Sequence, residues 1–443
     1  MKIFKYNVVL IGCQMNVSDA ERIKGILEDM GLVNSNERNE ADVVIVTTCG
    51  VRQHAEDRIY GIIPRIKKHN PKSIIVLTGC LSKRQDVINR LNKHVDIWLN
   101  AKDMANLSQL LFEKLPTLKP QPKNIESLKN YLSLQPKYTS KYSAYVPIGN
   151  GCNNWCTYCV VPKARGSEAY RAPEEILNEV RGLIKNNYKE ITLIAQNVDS
   201  YNFIDESNNS TSFATLLQQV DDLEGEYWLR FSTNHPKDIS NDLVQVIKNG
   251  KRICPHIHLP VQSGDDEILK AMNRNYTKEE YLRLVDTIRI NLDAELPATI
   301  TTDIIVGYPQ ESLDQFNNTA QLMREVSFDM VYISQYSPRP NTASYNLNDN
   351  VTTEEKKRRE DELTEILKTT NSANNRKYIG KNIRVLIIGN KKGYIIARTN
   401  TGKNVKIKID NELNSKQIIG EFANVTIIDA ESYKLYGKII KSQ

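Results

Sequence analysis

Short apolar runs separated by amphipathic stretches recur along most of this chain. Residues 7–12, 43–48 and 74–79 are near-continuous apolar runs, and segments near 18–30, 55–69 and 84–93 carry apolar positions at helical spacing. Such alternation is the βαβ pattern of a parallel sheet. From 141 to about 370 the alternation repeats six times. Strands are predicted at 144–149, 190–195, 227–232, 255–260, 299–306 and 329–336, with helices in PEEILNEVRGLIKNN, NDLVQVIKNG and TKEEYLRLVDTIRIN between them. Six successive βα units with right-handed crossovers curl into a full or partial barrel. After a charged helix (TTEEKKRREDELTEILKTTNSANNRK) the period changes: IRVLIIG, YIIART, VKIKI and FANVTIID are β-branched runs between Gly- and Asn-containing turns. They predict a small antiparallel β-barrel or sandwich. The expected fold is therefore α/β: a parallel α/β domain over 1–115, a polar linker over 116–140, a partial (βα)6 barrel over 141–376, and an all-β module over 377–443.

Composition agrees with several globular domains. The chain has 443 residues, 40% of them hydrophobic and 25% charged, with a mean hydropathy of −0.47. No apolar run approaches the roughly 20 residues needed to span a bilayer, so no membrane partner is expected. The apolar stretch in MKIFKYNVVLIGC is short and reads as a first strand rather than a signal peptide. The net charge of +6 is unevenly placed. Residues 377–443 hold 13 Lys and Arg against 5 Asp and Glu, a balance of +8 on a nearly neutral body. A basic terminal module suggests polyanion binding, although a solvated Lys-rich surface has the same composition.

Six of the seven cysteines form two triplets. Cys152, Cys156 and Cys159 lie in GCNNWCTYC, a C-x3-C-x2-C run. Cys13, Cys49 and Cys80 are far apart, but each follows one of the first three strands, and in parallel sheets ligands gather at the carboxyl ends of the strands. Unpaired thiols in a chain of this length point to a reducing compartment, by default the cytoplasm. A structural zinc site takes four closed ligands, whereas three cysteines leave a metal position open. A three-cysteine zinc loop, or one completed by His, is the competing reading; no His lies near GCNNWCTYC. Cys254 belongs to neither triplet and reads as a core thiol.

The C-x3-C-x2-C loop resembles the signature of radical S-adenosylmethionine (SAM) enzymes. Over nearly its whole length the chain resembles the methylthiotransferase branch, with its N-terminal methylthiotransferase domain, radical SAM barrel and C-terminal TRAM domain. The strings are GCQMNVSDAER (12–22), TTCGVRQHAEDR (47–58), GCNNWCTYCVVPKARGSE (151–168), AQNVDSY (195–201), HLPVQSG (258–264), MNRNYT (272–277), TTDIIVGYP (301–309) and YSPRPNTAS (336–344). The resemblance is strongest to the tRNA enzymes that add a methylthio group to carbon 2 of 6-isopentenyladenosine beside the anticodon. It implies two 4Fe–4S clusters: a SAM-cleaving one on Cys152, Cys156 and Cys159, and an auxiliary one on Cys13, Cys49 and Cys80 that carries sulfur. In that family one SAM methylates sulfur, and a second yields the radical that takes hydrogen from carbon 2. The implied partners are a tRNA anticodon loop, a low-potential electron donor and a sulfur source.

Gln196, Ser232, His258 and Gln262 fall at predicted strand ends on the barrel's active face and are candidate SAM or substrate contacts. Asp303 and Gly307 lie in a strand similar to one near the cofactor in radical SAM enzymes, where Gly permits close approach. Arg165, Arg171 and Arg339 are candidates for phosphate or the SAM carboxylate. Ala195, Asn341, Asn150 and Thr47 depart from the family's usual residues at their positions. Two related activities compete, on threonylcarbamoyl-adenosine in tRNA and on an aspartate of a ribosomal protein. The strings around Arg52 and Gln196 differ from the first, and GCQMN and CGVRQ from the second. A non-catalytic iron–sulfur electron carrier leaves the six-unit barrel unexplained.

Overall fold

The computed structural model describes residues 3–51, 53–118, 131–293, 295–409 and 418–440. Arg52 and residues 119–130 of the expected linker therefore lie outside the described residues. The N-terminal part is a five-stranded, wholly parallel sheet of β1 (Lys5–Val9), β2 (Val33–Asn34), β3 (Val43–Thr48), β4 (Ile74–Gly79) and β5 (Ile97–Leu99), in the order β2-β1-β3-β4-β5. β3 and β4 are buried at every position, because helices cover both faces. Two separate apolar clusters result, one on each side of the sheet.

The barrel of the central part is built from six strands in two parallel triplets. β6 (Ser143–Pro147), β7 (Glu190–Ile194) and β8 (Trp228–Ser232) form one, with β7 in the middle. β9 (His256–His258), β10 (Thr299–Val306) and β11 (Met330–Gln335) form the other. A parallel bridge from Leu229 to Ile253 links them, and one apolar cluster runs through both triplets. This is a partial barrel, open at β6 and β11.

The last part is a closed barrel of β12 (Asn382–Lys391), β13 (Tyr394–Thr399), β14 (Asn404–Lys408), β15 (Phe422–Glu431) and β16 (Lys434–Ile439), in the order β12-β13-β14-β16-β15. The pattern of apolar runs had not marked β16 (KLYGKI). Gly437 occupies an inward position there, and a Cβ would stand 3.1 Å from Val405, so close packing hides the usual β-branched signal. The barrel is also not wholly antiparallel, since β14 and β16 pair in parallel to close it.

The three parts are bolted together by buried polar contacts. Tyr131 and Leu132 are buried in the N-terminal core, so the chain from 131 onward is a packed strap rather than the expected polar linker. Arg230 in β8 donates to the carbonyls of Thr399 and Asn400 at 2.8 Å and pairs with Glu190 at 2.7 Å. Trp228 and Cys254 pack on Leu386 beneath Phe422, and burial pushes the Cys254 thiol up to about 12. No helix among the described residues is long and apolar enough to cross a membrane.

Candidate active site between the two cysteine triplets

β1, β3 and β4 point the same way, so the loops that follow them emerge on one edge. Cys13 caps helix Gln14–Asp29, while Cys49 and Cys80 are the first residues beyond β3 and β4. Thr48 ties these ends together. Its hydroxyl donates to the Thr78 carbonyl at 2.7 Å, and its carbonyl accepts from Cys80 N–H at 3.1 Å and from Asn16 Nδ2 at 2.9 Å. The Cys13 thiol in turn donates to Asn16 Oδ1 at 3.2 Å. Cys49 and Cys80 are buried, and Cys13 retains solvent access.

The second triplet sits on the loop between β6 and the short helix Val161–Arg165. The segment after helix Asp266–Ala271 clamps it. Asn273 Nδ2 donates to the carbonyls of Asn154 and Trp155 at 3.2 and 3.1 Å, and the Thr157 hydroxyl donates to the Ala271 carbonyl at 2.9 Å. Val161 N–H points at Cys159 Sγ, 3.4 Å away, and Arg274 Nη1 reaches Cys156 Sγ at 3.7 Å. Burial pushes the Cys159 thiol up to about 12 and raises that of Cys152. Such thiols are protonated in the metal-free protein, and metal binding must displace those protons.

The two triplets face each other. A Cβ on Gly50 would lie 3.1 Å from Val160 and 3.3 Å from the Cys80 side chain. The charge of Arg165 acts on both Cys13 and Cys80, and Cys80 acts electrostatically on Cys159. A cavity of about 440 Å³ opens between them, with Gly50 and Val51 on one wall, Cys159 and Val160 on the other, and Asp303 and Tyr332 along the barrel side. That is within the usual size range for a small-molecule site. Among the described residues no three His, Cys, Asp or Glu converge as ligands of a single ion would. Cluster thiolates bind different irons and stand farther apart than the ligands of one ion, so this spacing does not bear on a cluster.

Of the other candidates, Gln262, Asp303 and Arg339 line the cavity. His258 lies in the adjoining strand, with Nδ1 at 2.9 Å from the Thr301 hydroxyl and Nε2 at 3.3 Å from Asp303. Gln196 and Ser232 belong to the other strand triplet, where Gln196 Oε1 accepts from Gly151 N–H at 2.5 Å. Gly307 has φ +70°, but the group crowding it is Lys356. The three arginines differ from expectation because each is spent on a buried or largely buried carboxylate. Arg165 pairs with Asp19 at 2.6 Å, Arg171 with Glu179 at 2.7 Å and Arg339 with Glu56 at 3.3 Å. Arg165 and Arg339 thereby join the N-terminal domain to the barrel, and neither presents a free guanidinium to a phosphate.

The unusual residues also find partners. Asn150 accepts from Tyr131 and Arg165, a place where a carboxylate would add charge beside Asp19. Asn341 has φ +68°, a region Asn tolerates better than most residues. Thr47 accepts from Ile11 N–H at 3.1 Å, and Ala195 is buried in the barrel core. Two further residues shape the site without a local signal of their own. Arg274 lies in MNRNYT, where nothing in the string marks its contact with Cys156. Glu311, buried against Arg359 at 2.7 Å, accepts from Gly307 N–H and shapes the end of β10.

Three family models match in order: "Uncharacterized protein family UPF0004" over 5–100, the Radical SAM superfamily over 146–323, and the TRAM domain over 376–440. Proteins named tRNA-2-methylthio-N(6)-dimethylallyladenosine synthase are similar over nearly full length. That of Thermoanaerobacter pseudethanolicus is 39% identical over 98% of this chain and 93% of its own. Those of Caldicellulosiruptor saccharolyticus and Clostridium botulinum are also 39% identical, covering 98% and 97% of this chain and 92% and 95% of theirs. Among solved structures, the radical SAM methyltransferase TsrM of Kitasatospora setae superposes with a TM-score of 0.58 at 12% identity, over 78% of this chain and 75% of that one. That likeness concerns the fold alone.

Proposed function

This chain belongs to the tRNA-2-methylthio-N(6)-dimethylallyladenosine synthase family, and from that premise we propose that its inter-triplet cavity is where carbon 2 of an isopentenylated adenosine receives a methylthio group. The cofactors are SAM and two 4Fe–4S clusters. Cys152, Cys156 and Cys159 would hold one cluster, and Cys13, Cys49 and Cys80 the other. When bound, the first supplies the electron that cleaves SAM into a hydrogen-abstracting radical, and the second carries the sulfur.

The observation that carries this reading is the single cavity walled by Cys159 on one side and Gly50, next to Cys49, on the other. A base placed there would lie against Cys159 of one triplet and against Gly50, the neighbour of Cys49 in the other. Tyr332 and Val51 present exposed apolar surface, which suits a base lifted from its stack in a single-stranded loop. His258, held by Thr301 and Asp303, and Gln262 offer polar contacts to SAM or the base. Exposed Lys391, Lys392 and Lys408 on the terminal barrel suit sequence-independent contacts to tRNA phosphates. An external low-potential donor supplies electrons, and an external source supplies sulfur.

The test is nucleoside mass spectrometry on isopentenylated tRNA incubated anaerobically with the reconstituted protein, SAM, sulfide and a reductant. A 2-methylthio-isopentenyladenosine peak is expected. If 5′-deoxyadenosine forms without that product, the substrate assignment fails, and threonylcarbamoyl-adenosine or the ribosomal protein takes its place.

A further inference from the structure

Eight arginines are buried among the described residues: Arg22, Arg84, Arg165, Arg171, Arg230, Arg274, Arg339 and Arg359. Seven of them pair with a carboxylate. Arg274 does not. Its Nη2 donates to the Pro260 carbonyl at 2.6 Å and its Nε to the Tyr276 hydroxyl at 2.5 Å, both neutral acceptors. Its Nη1 points at Cys156 Sγ, 3.7 Å away, and at the Tyr158 hydroxyl at 3.5 Å. The nearby His235 supplies no negative charge; burial and Arg274 itself keep it neutral, with its pKa lowered to about 2.

An isolated buried guanidinium costs several kcal/mol unless an anion compensates it. Everything the other seven obtain from carboxylates, Arg274 has to obtain from whatever binds at Cys156. Three thiolates outweigh the charge of an oxidised 4Fe–4S core, and one-electron reduction makes the assembly more negative still. We propose that Arg274 is the charge partner of the cluster on Cys152, Cys156 and Cys159, and that it raises the cluster's reduction potential through the Cys156 sulfur. The inference rests on the ligand assignment proposed above. Charge and hydrogen bonds near cluster sulfurs are recognised controls of potential. A positive charge stabilises the reduced form more than the oxidised one, so its removal makes the potential more negative.

The experiment uses the full chain with Cys13, Cys49 and Cys80 replaced by Ala, reconstituted so that one cluster titrates. EPR-monitored redox titration compares Arg274 with Arg274→Lys and Arg274→Gln. Arg274→Gln should lower the equilibrium constant for reduction at least tenfold, about 59 mV for one electron. Arg274→Lys, which keeps the charge, should recover most of that shift. An unmoved potential in Arg274→Gln, or equal shifts in both variants, overturns the inference. Failure of the unsubstituted Cys152, Cys156 and Cys159 set to assemble a cluster overturns the ligand assignment as well. If Arg274→Gln does not fold, nitrogen-15 arginine in the chain with Arg274 intact decides. Pulsed EPR of the reduced cluster should then show a nitrogen coupling that Arg274→Lys loses, and its absence refutes the contact.

Discussion

Replacing Arg165 by Met tests whether this arginine joins two domains or holds a phosphate. Its Nη2 lies 2.6 Å from Asp19 Oδ2, and the two side chains are 2% and 3% exposed. The other Asp19 oxygen, Oδ1, has no hydrogen-bond partner among the described residues. Truncating Arg165 therefore strands a buried carboxylate and also removes a donor from Asn150. Breaking a buried pair from one side costs about 3–5 kcal/mol, a large part of a typical domain's stability. Asp19→Asn added to Arg165→Met removes the stranded charge and should restore part of the loss. Arg283→Met is the control: its pair with Glu279 is 62% and 80% exposed and should contribute less than about 0.5 kcal/mol. The assay is urea unfolding of the metal-free protein followed by the fluorescence of Trp98, which lies in β5. A loss below about 1 kcal/mol for Arg165→Met refutes the reasoning. So does unchanged stability with weaker, less salt-dependent tRNA binding, the signature of a phosphate contact.

The other predictions concern the site, the terminal barrel and pH. Alanine at any of the six triplet cysteines should abolish methylthiolation, whereas Cys13→Ala, Cys49→Ala or Cys80→Ala should still yield 5′-deoxyadenosine from SAM; full activity in Cys49→Ala would overturn the two-cluster assignment. Lys392→Glu with Lys408→Glu should weaken tRNA binding and lower the slope of log K against log salt by roughly 0.7–0.9 per lost phosphate contact, measured by filter binding across a salt series. Arg230→Met should leave Glu190 with only Arg398 and Ser143 as partners, remove the donors to Thr399 and Asn400, and loosen the terminal barrel, seen as faster proteolysis near residue 377. Burial raises the Asp199 pKa to about 7, against hydrogen bonds from His235 N–H and Asn234 that favour the charged form. A raised carboxyl pKa makes the folded state bind more protons than the unfolded one, so this group's contribution is complete below about pH 4 and is lost as pH rises through 7. Asp199→Asn should therefore gain stability relative to the parent between pH 5 and 8, and a constant difference across that range would refute the assignment.

Much of the architecture was legible because its signals are local. The runs in β3, β4 and β10 coincide with the strands they predicted, since strands covered on both faces are rich in apolar and β-branched residues. The C-x3-C-x2-C spacing and the position of Cys13, Cys49 and Cys80 after successive strands mark both triplets in the sequence. β16 and the strap from Tyr131 were missed: Gly437 breaks the strand's pattern, and Tyr131 and Leu132 sit in an otherwise polar stretch. Only the tertiary structure decided which arginines are spent. Nothing local separates Arg165, with Asp19 146 residues away, from Arg274, which pairs with no carboxylate among the described residues. A charge's role depends on what is buried beside it, and burial is a property of the packed chain rather than of any segment. The sequence by itself determined the strands, the helices and the cysteine spacing, because these follow from periodicity along the backbone. The cavity between Gly50 and Cys159, and the charge balance around it, came only from bringing distant strand ends together.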